Sequence, residues 1–282
     1  MELFNFSAEE VKLINRSFKF VGGKELGLDD FSDRTLIIKT ENFGDACADV
    51  SRYFPEIGLE NMNARLVFNT SRTGYHKILI NKETISDLSY IHTIINEAVH
   101  LWNLHQFVNE HGNVYRLDPE QAIQCYFNEF LLWSKFQAMR VATRAHALSV
   151  WHTVNGEEPP ADGRYRFIWV SVPLDNLLGS LRDMAQTTIS ASLREKFWRF
   201  LEESALYFGR LAFYQREPLP MALDEQFPAT QIDDVVGLNN CLSFYAALQR
   251  ATQYSAWNDE KTAIRRAVIA MQRHRAQELS RP

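Results

Sequence analysis

The chain has 282 residues, 46% of them hydrophobic, which is enough to bury a substantial core as one large domain or two modest ones. Thirty lysines and arginines against 35 aspartates and glutamates leave a net charge of −5, which argues against a general nucleic-acid or anionic-membrane surface and leaves only local patches open. Three widely separated cysteines, Cys47, Cys125 and Cys241, suggest neither a disulfide framework nor a Cys-x-x-Cys metal knuckle, and no stretch approaches the roughly 18 uninterrupted apolar residues of a membrane helix.

The start, Met1-Glu2-Leu3-Phe4-Asn5, has an acid at once and no basic segment leading into an apolar run, so a signal peptide is not expected and the cytoplasm is the expected location. Ser7-Ala8-Glu9-Glu10 has the form of a capping box, a hydroxyl followed three residues later by Glu. Val11, Leu13, Ile14 and Phe18 supply the apolar stripe of the helix it opens. Thr35–Thr40 is short and β-branched and predicts a strand, followed by a helix over about 44–54. Two more strands, 64–69 and 76–81, flank Thr70-Ser71-Arg72-Thr73-Gly74, a connection of hairpin type. The order so far is mixed α and β.

After Asn81 the texture becomes helical. Ser86 is the expected cap of a helix over about 86–107, and Asp118-Pro119-Glu120 opens another expected to run to about 150. The segment 155–163, Asn-Gly-Glu-Glu-Pro-Pro-Ala-Asp-Gly, is rich in turn formers and poor in apolar residues. It marks the expected boundary between a lobe over 1–154 and a helical lobe over 164–282. In the second lobe, 172–188, 192–217, 238–254 and 259–279 read as helices, with Pro218 and Pro220 stopping the second of these. The fold class predicted is therefore α+β: a small mixed sheet with helices, then a mostly helical lobe. Tyr126, Phe127, Phe130, Trp133 and Phe136, together with the aromatics between Phe197 and Tyr214, are read as core.

Ile94-Ile95-Asn96-Glu97-Ala98-Val99-His100-Leu101 carries the functional signal of the chain. A helix bearing H-E-x-x-H sets two histidines, four residues apart, on one zinc ion, and the Glu between them activates the bound water. Here Glu97 and His100 keep two of those places and Asn96 stands at the first. The segment thus resembles the core helix of a zincin metallopeptidase with one ligand replaced. The element order over about 35–145 is similar to the minimal zincin core, in which that helix packs under a small sheet. In the gluzincin branch the third ligand is a Glu on the next helix, within a Trp-x-Glu-Phe string. The counterpart here is Trp133-Ser134-Lys135-Phe136, which puts Lys135 at the ligand position.

The resemblance implies a degenerate site at Asn96, His100 and Lys135 that binds no metal, with the Lys135 ammonium replacing the zinc charge beside Glu97. A protein of that kind is expected to act by binding another protein, as a regulatory or structural component. Two alternatives stand beside it. In one, the protein is an active zinc-dependent hydrolase with atypical ligands, in which Glu97 is general base and His100, His92 and Glu129 hold the metal. His92, Asn96 and His100 lie at successive i+4 steps, but helical drift separates His92 from His100 unless a partner helix supplies ligands between them. In the other, Asn96, Glu97 and His100 are simply a polar helix face, and the protein uses Lys261, Arg265, Arg266, Arg273 and Arg275 on its last helix to meet a partner or nucleic acid. No nucleophile elbow, Walker loop or dinucleotide fingerprint is present; Gly22-Gly23-Lys24 lacks the spacing. The adjacent acids Glu202-Glu203 and Asp233-Asp234 point about 100° apart on a helix and are read as solvated faces or caps.

Overall fold

A computed structural model describes residues 1–21, 34–48, 63–69, 74–85, 89–158, 174–187, 190–214 and 227–280. The fold is α+β, with a four-stranded sheet in the N-terminal part and a helical C-terminal part.

The strands are β1 (Glu2–Phe4), β2 (Thr35–Thr40), β3 (Ala64–Val67) and β4 (His76–Asn81), in the order β1-β2-β4-β3. β1 and β4 run parallel to β2, and β3 runs antiparallel to β4, as its hairpin-type connection predicted. Ile37, Ile78 and Ile80 are fully buried at the sheet's centre, which is why the β-branched runs are legible as strands. β1 was not anticipated: three residues are too few to show alternation.

Asn5 ends β1 in the left-handed conformation (φ 65°), which asparagine tolerates, and its amide donates to the Lys39 carbonyl at 3.0 Å. Helix α1 (Ala8–Val21) then starts with the expected reciprocal capping box: the Ser7 amide donates to Glu10 Oε2 at 2.8 Å, and the Glu10 amide to Ser7 Oγ at 3.2 Å. The same Glu10 pairs with Lys39 of β2 at 2.7 Å, which ties α1 to the sheet. Helix α2 (Phe43–Ala48) lays Phe43 and Cys47 against Leu79; the rest of the helix predicted to 54 lies outside the described residues.

Helix α3 (Ser89–His111) packs on β3 and β4 and runs one turn beyond the predicted end; Ser86, its expected cap, lies outside the described residues. Phe68 and Leu101 join Leu66, Trp102 and Tyr115 in the cluster between helix and sheet. A single 3-10 turn, Val114–Arg116, follows.

The long helix predicted from 119 to 150 is in fact two, α4 (Pro119–Gln124) and α5 (Phe127–Asn155). They are separated at Tyr126, whose φ of 59° no helix accommodates. By contact the chain forms two compact units, and the division falls within α5. One unit holds Met1–Asp118 and the chain from Val141; the other holds Pro119–Arg140 and the later helices. The boundary expected at 155–163 lies mostly outside the described residues.

The second unit contains α6 (Asp175–Ala185), α7 (Ser190–Tyr214), α8 (Ala229–Val236), α9 (Leu238–Arg250) and α10 (Tyr254–Leu279). Helix α8 was not anticipated, and α9 ends four residues before the predicted 254, where α10 begins. Gly237 (φ 80°) turns the chain from α8 to α9, and Asp233 caps α9 by accepting from the Leu238 amide at 2.8 Å. The aromatic residues form the core as read from sequence. Trp133 is fully buried among Phe130, Tyr254 and Trp257, and its indole N–H donates to the Ala251 carbonyl at 2.7 Å. Gly209 of α7 lies so close to α5 that a Cβ there would stand 2.5 Å from the Phe136 carbonyl oxygen.

Candidate functional site

Along α3 the buried positions Ile91, Ile94, Ile95, Ala98 and Val99 follow the helical period, so His92, Asn96, Glu97 and His100 fall at the margin of the core, all half-buried. The side chain of Asn96 turns on its neighbour: Nδ2 donates to Glu97 Oε1 at 3.2 Å. Its carbonyl, Oδ1, is buried and accepts no hydrogen bond. His92 meets His146 of α5 edge-on, with ring centroids 6.3 Å apart, and burial holds the His146 imidazole below its ordinary pKa.

The other expected members of the site have different partners. Lys135 lies on the α5 segment of the second unit, and its ammonium stands 3.4 Å from Glu202 of α7. The charge it neutralises is Glu202's, in place of the pairing with Glu97 that the resemblance implied. This also corrects the reading of Glu202 as a plain solvated acid. Glu129, the alternative metal ligand, spends both oxygens on Arg265 of α10: Nε donates to Oε1 and Nη2 to Oε2, each at 2.9 Å.

Among the described residues no group of three or more His, Cys, Asp or Glu is arranged to hold a metal ion. The zinc that the zincin resemblance implies therefore does not fit the residues present: the first-ligand position carries an amide already bonded to the carboxylate that would activate water.

The basic face of α10 is largely consumed within its own unit. Arg265 is taken by Glu129 and by the Ile123 carbonyl (2.7 Å). Lys261 donates to Asn258 and lies over the Tyr126 and Trp257 rings. Arg275 is 7% exposed, and its Nη2 donates to the carbonyls of Met184, Ala185 and Thr187 at the end of α6. Only Arg266 and Arg273 of the five are exposed.

Two residues of chemical interest escaped the sequence reading. His76 on β4 is 2% exposed; the Asn69 amide donates to its Nδ1 at 3.0 Å, and Phe68 stacks on it with centroids 4.7 Å apart. Burial first, then the charges of Arg34 and His105, push its pKa down to about 4, so it is neutral near pH 7. A signal for it existed: His76 shares the alternation of Ile78 and Ile80 and so belongs on the buried face. The second is Tyr126, for which the local sequence contains no turn signal.

Comparison with protein-family models, with curated proteins and with solved structures finds no match to this chain. Among the described residues no helix is long and apolar enough to cross a membrane.

Proposed function

We propose that this chain is a catalytically degenerate, metallopeptidase-like protein that acts by binding another protein, as a regulatory or structural component. The observation that carries the reading is the hydrogen bond from Asn96 to Glu97 on a helix packed against a small mixed sheet. In the resembled arrangement, the residue at 96 holds zinc and the residue at 97 acts on zinc-bound water. Here the Asn96 side-chain amide donates to the Glu97 carboxylate, which removes a ligand and engages the base with one substitution. The engagement of both Glu129 oxygens by Arg265 supports the same conclusion, since that side chain is not left to complete a metal set; the Lys135 ammonium, paired with Glu202, takes no part in it. The protein works in a reducing compartment, the cytoplasm; buried, unpaired Cys47 and Cys241 support this placement.

A peptidase assay on unstructured polypeptide substrates, run with the wild type and Glu97→Gln side by side in zinc-supplemented buffer, tests the reading. The expected result is no hydrolysis that depends on Glu97. Turnover in the wild type that disappears in Glu97→Gln contradicts it and restores Glu97 as a general base.

A further inference from the structure

The chain contains one Asn-Gly pair, Asn155-Gly156, and the structure sets it at the open end of α5. Asn155 is the last helical residue, Gly156 follows it in the left-handed conformation (φ 68°), and both are exposed. A Cβ at Gly156 would meet nothing within 4 Å, so no packed neighbour shields the peptide that joins the two residues.

An asparagine side-chain amide is an electrophile that the next backbone nitrogen can reach by closing a five-membered ring. The chief obstacle is the next residue's side chain, which glycine lacks. At this site the Gly156 nitrogen attacks Asn155 Cγ and gives up its proton. The N–Cγ bond forms, the Cγ–Nδ2 bond breaks, and ammonia departs with that proton, leaving a cyclic succinimide. Water then adds to one of the two ring carbonyls. The ring reopens to an aspartate at 155, or to an isoaspartate whose main chain runs through the side-chain carbon. Nothing is oxidised or reduced; one water is consumed and one ammonia released.

The closed turn restrains both reacting groups. The Gly156 amide donates to the His152 carbonyl at 2.9 Å, and Asn155 Nδ2 donates to the Trp151 carbonyl at 2.8 Å. His152 Nδ1 in turn donates to the Glu157 carbonyl at 2.9 Å, which folds the chain back on the turn. All three bonds belong to one exposed helix end, and such ends open at small cost without unfolding the rest. We infer that Asn155 is a site of spontaneous deamidation, gated by opening of the last turn of α5, and that the conversion loosens this turn. The product lacks the Nδ2 donor, and it sets a carboxylate beside the Trp151 carbonyl at the negative end of the helix dipole.

Peptide mapping by mass spectrometry of the full chain, held at mildly alkaline pH with and without urea, tests this. Asn109 is the internal control: it is also exposed and hydrogen-bonded, to His105 at 3.3 Å, but is followed by Glu110. Asn155 is expected to convert well ahead of Asn109 in the folded chain. It is expected to convert about tenfold more slowly there than in urea, the factor for a turn open about a tenth of the time. In Asn155→Asp the Gly156 amide is expected to exchange hydrogen about threefold faster than in the wild type, the effect of a charge placed at the wrong end of the dipole. Conversion in urea with none at Asn155 in the folded chain, or Asn109 keeping pace with it, overturns the assignment of the site. Unchanged Gly156 exchange in Asn155→Asp overturns the loosening.

Discussion

The two compact units treat their buried basic groups in opposite ways. In the sheet unit, His76 is enclosed on β4 without its charge, its pKa pushed down to about 4. In the helical unit, Arg275 is enclosed with its charge and answers it with three carbonyls at the end of α6. The chemistry of the side chains dictates the difference. An imidazole can shed its proton at modest cost, so burial is met by neutralisation; a guanidinium cannot, so burial has to be met by acceptors, and a helix C-terminus presents both free carbonyls and the negative end of the dipole. The sheet unit is thus exposed to acid, the helical unit to loss of a pairing group.

The largest effect expected from this contrast is acid sensitivity of the sheet unit. A histidine whose folded pKa is depressed binds a proton more readily when unfolded. The stability it permits is complete above the ordinary value of 6.5 and is lost as pH falls toward about 4, by roughly 3 kcal/mol. His146, also depressed by burial, acts in the same direction. Hydrogen exchange at pH 4.5 and pH 7 should show β4 losing protection on acidification while α10 keeps it, and His76→Phe should flatten the difference. Equal loss in both units would break the comparison.

A smaller effect is expected from Arg275→Met, which keeps the length of the side chain and leaves the α6 carbonyls without their donor. The cost is about 2 kcal/mol, read as a lower urea midpoint with protection lost around 184–187. If the midpoint does not move, the guanidinium contributes no net stabilisation there. The smallest effect concerns Lys135. Because its partner is Glu202, Lys135→Glu sets two carboxylates together in a partly exposed site and should cost about 0.5 kcal/mol, recovered by adding Glu202→Lys. No recovery in the double variant would show that the pair carries no coupling.

Much of the fold was legible because the signals were local. The capping box at Ser7 and Glu10, the β-branched runs at 35–40 and 76–81, and the aromatic core around Trp133 each declare themselves within a few residues. What the sequence could not disclose was set across long separations. The helix breaks at Tyr126, whose ring meets a residue 139 positions later, and Lys135 is claimed by an acid on another helix. Of the five α10 cations, regularly spaced and plausible as a binding face, Lys261, Arg265 and Arg275 are committed to Asn258, to Glu129 and Ile123, and to the carbonyls at the end of α6. The site motif was legible as residue types at positions 96, 97 and 100, but not in its state. Whether Asn96 faces a ligand or its own neighbour is decided by rotamer and packing, which the spacing does not encode.

The proposal that the helix resembling a zinc peptidase's holds no zinc rests on the Asn96 amide's donation to Glu97. Equilibrium dialysis against zinc followed by elemental analysis, on the wild type and His100→Ala together, tests it most directly. The account predicts the same low, substoichiometric zinc content in both. One equivalent of zinc in the wild type that is lost in His100→Ala would contradict it.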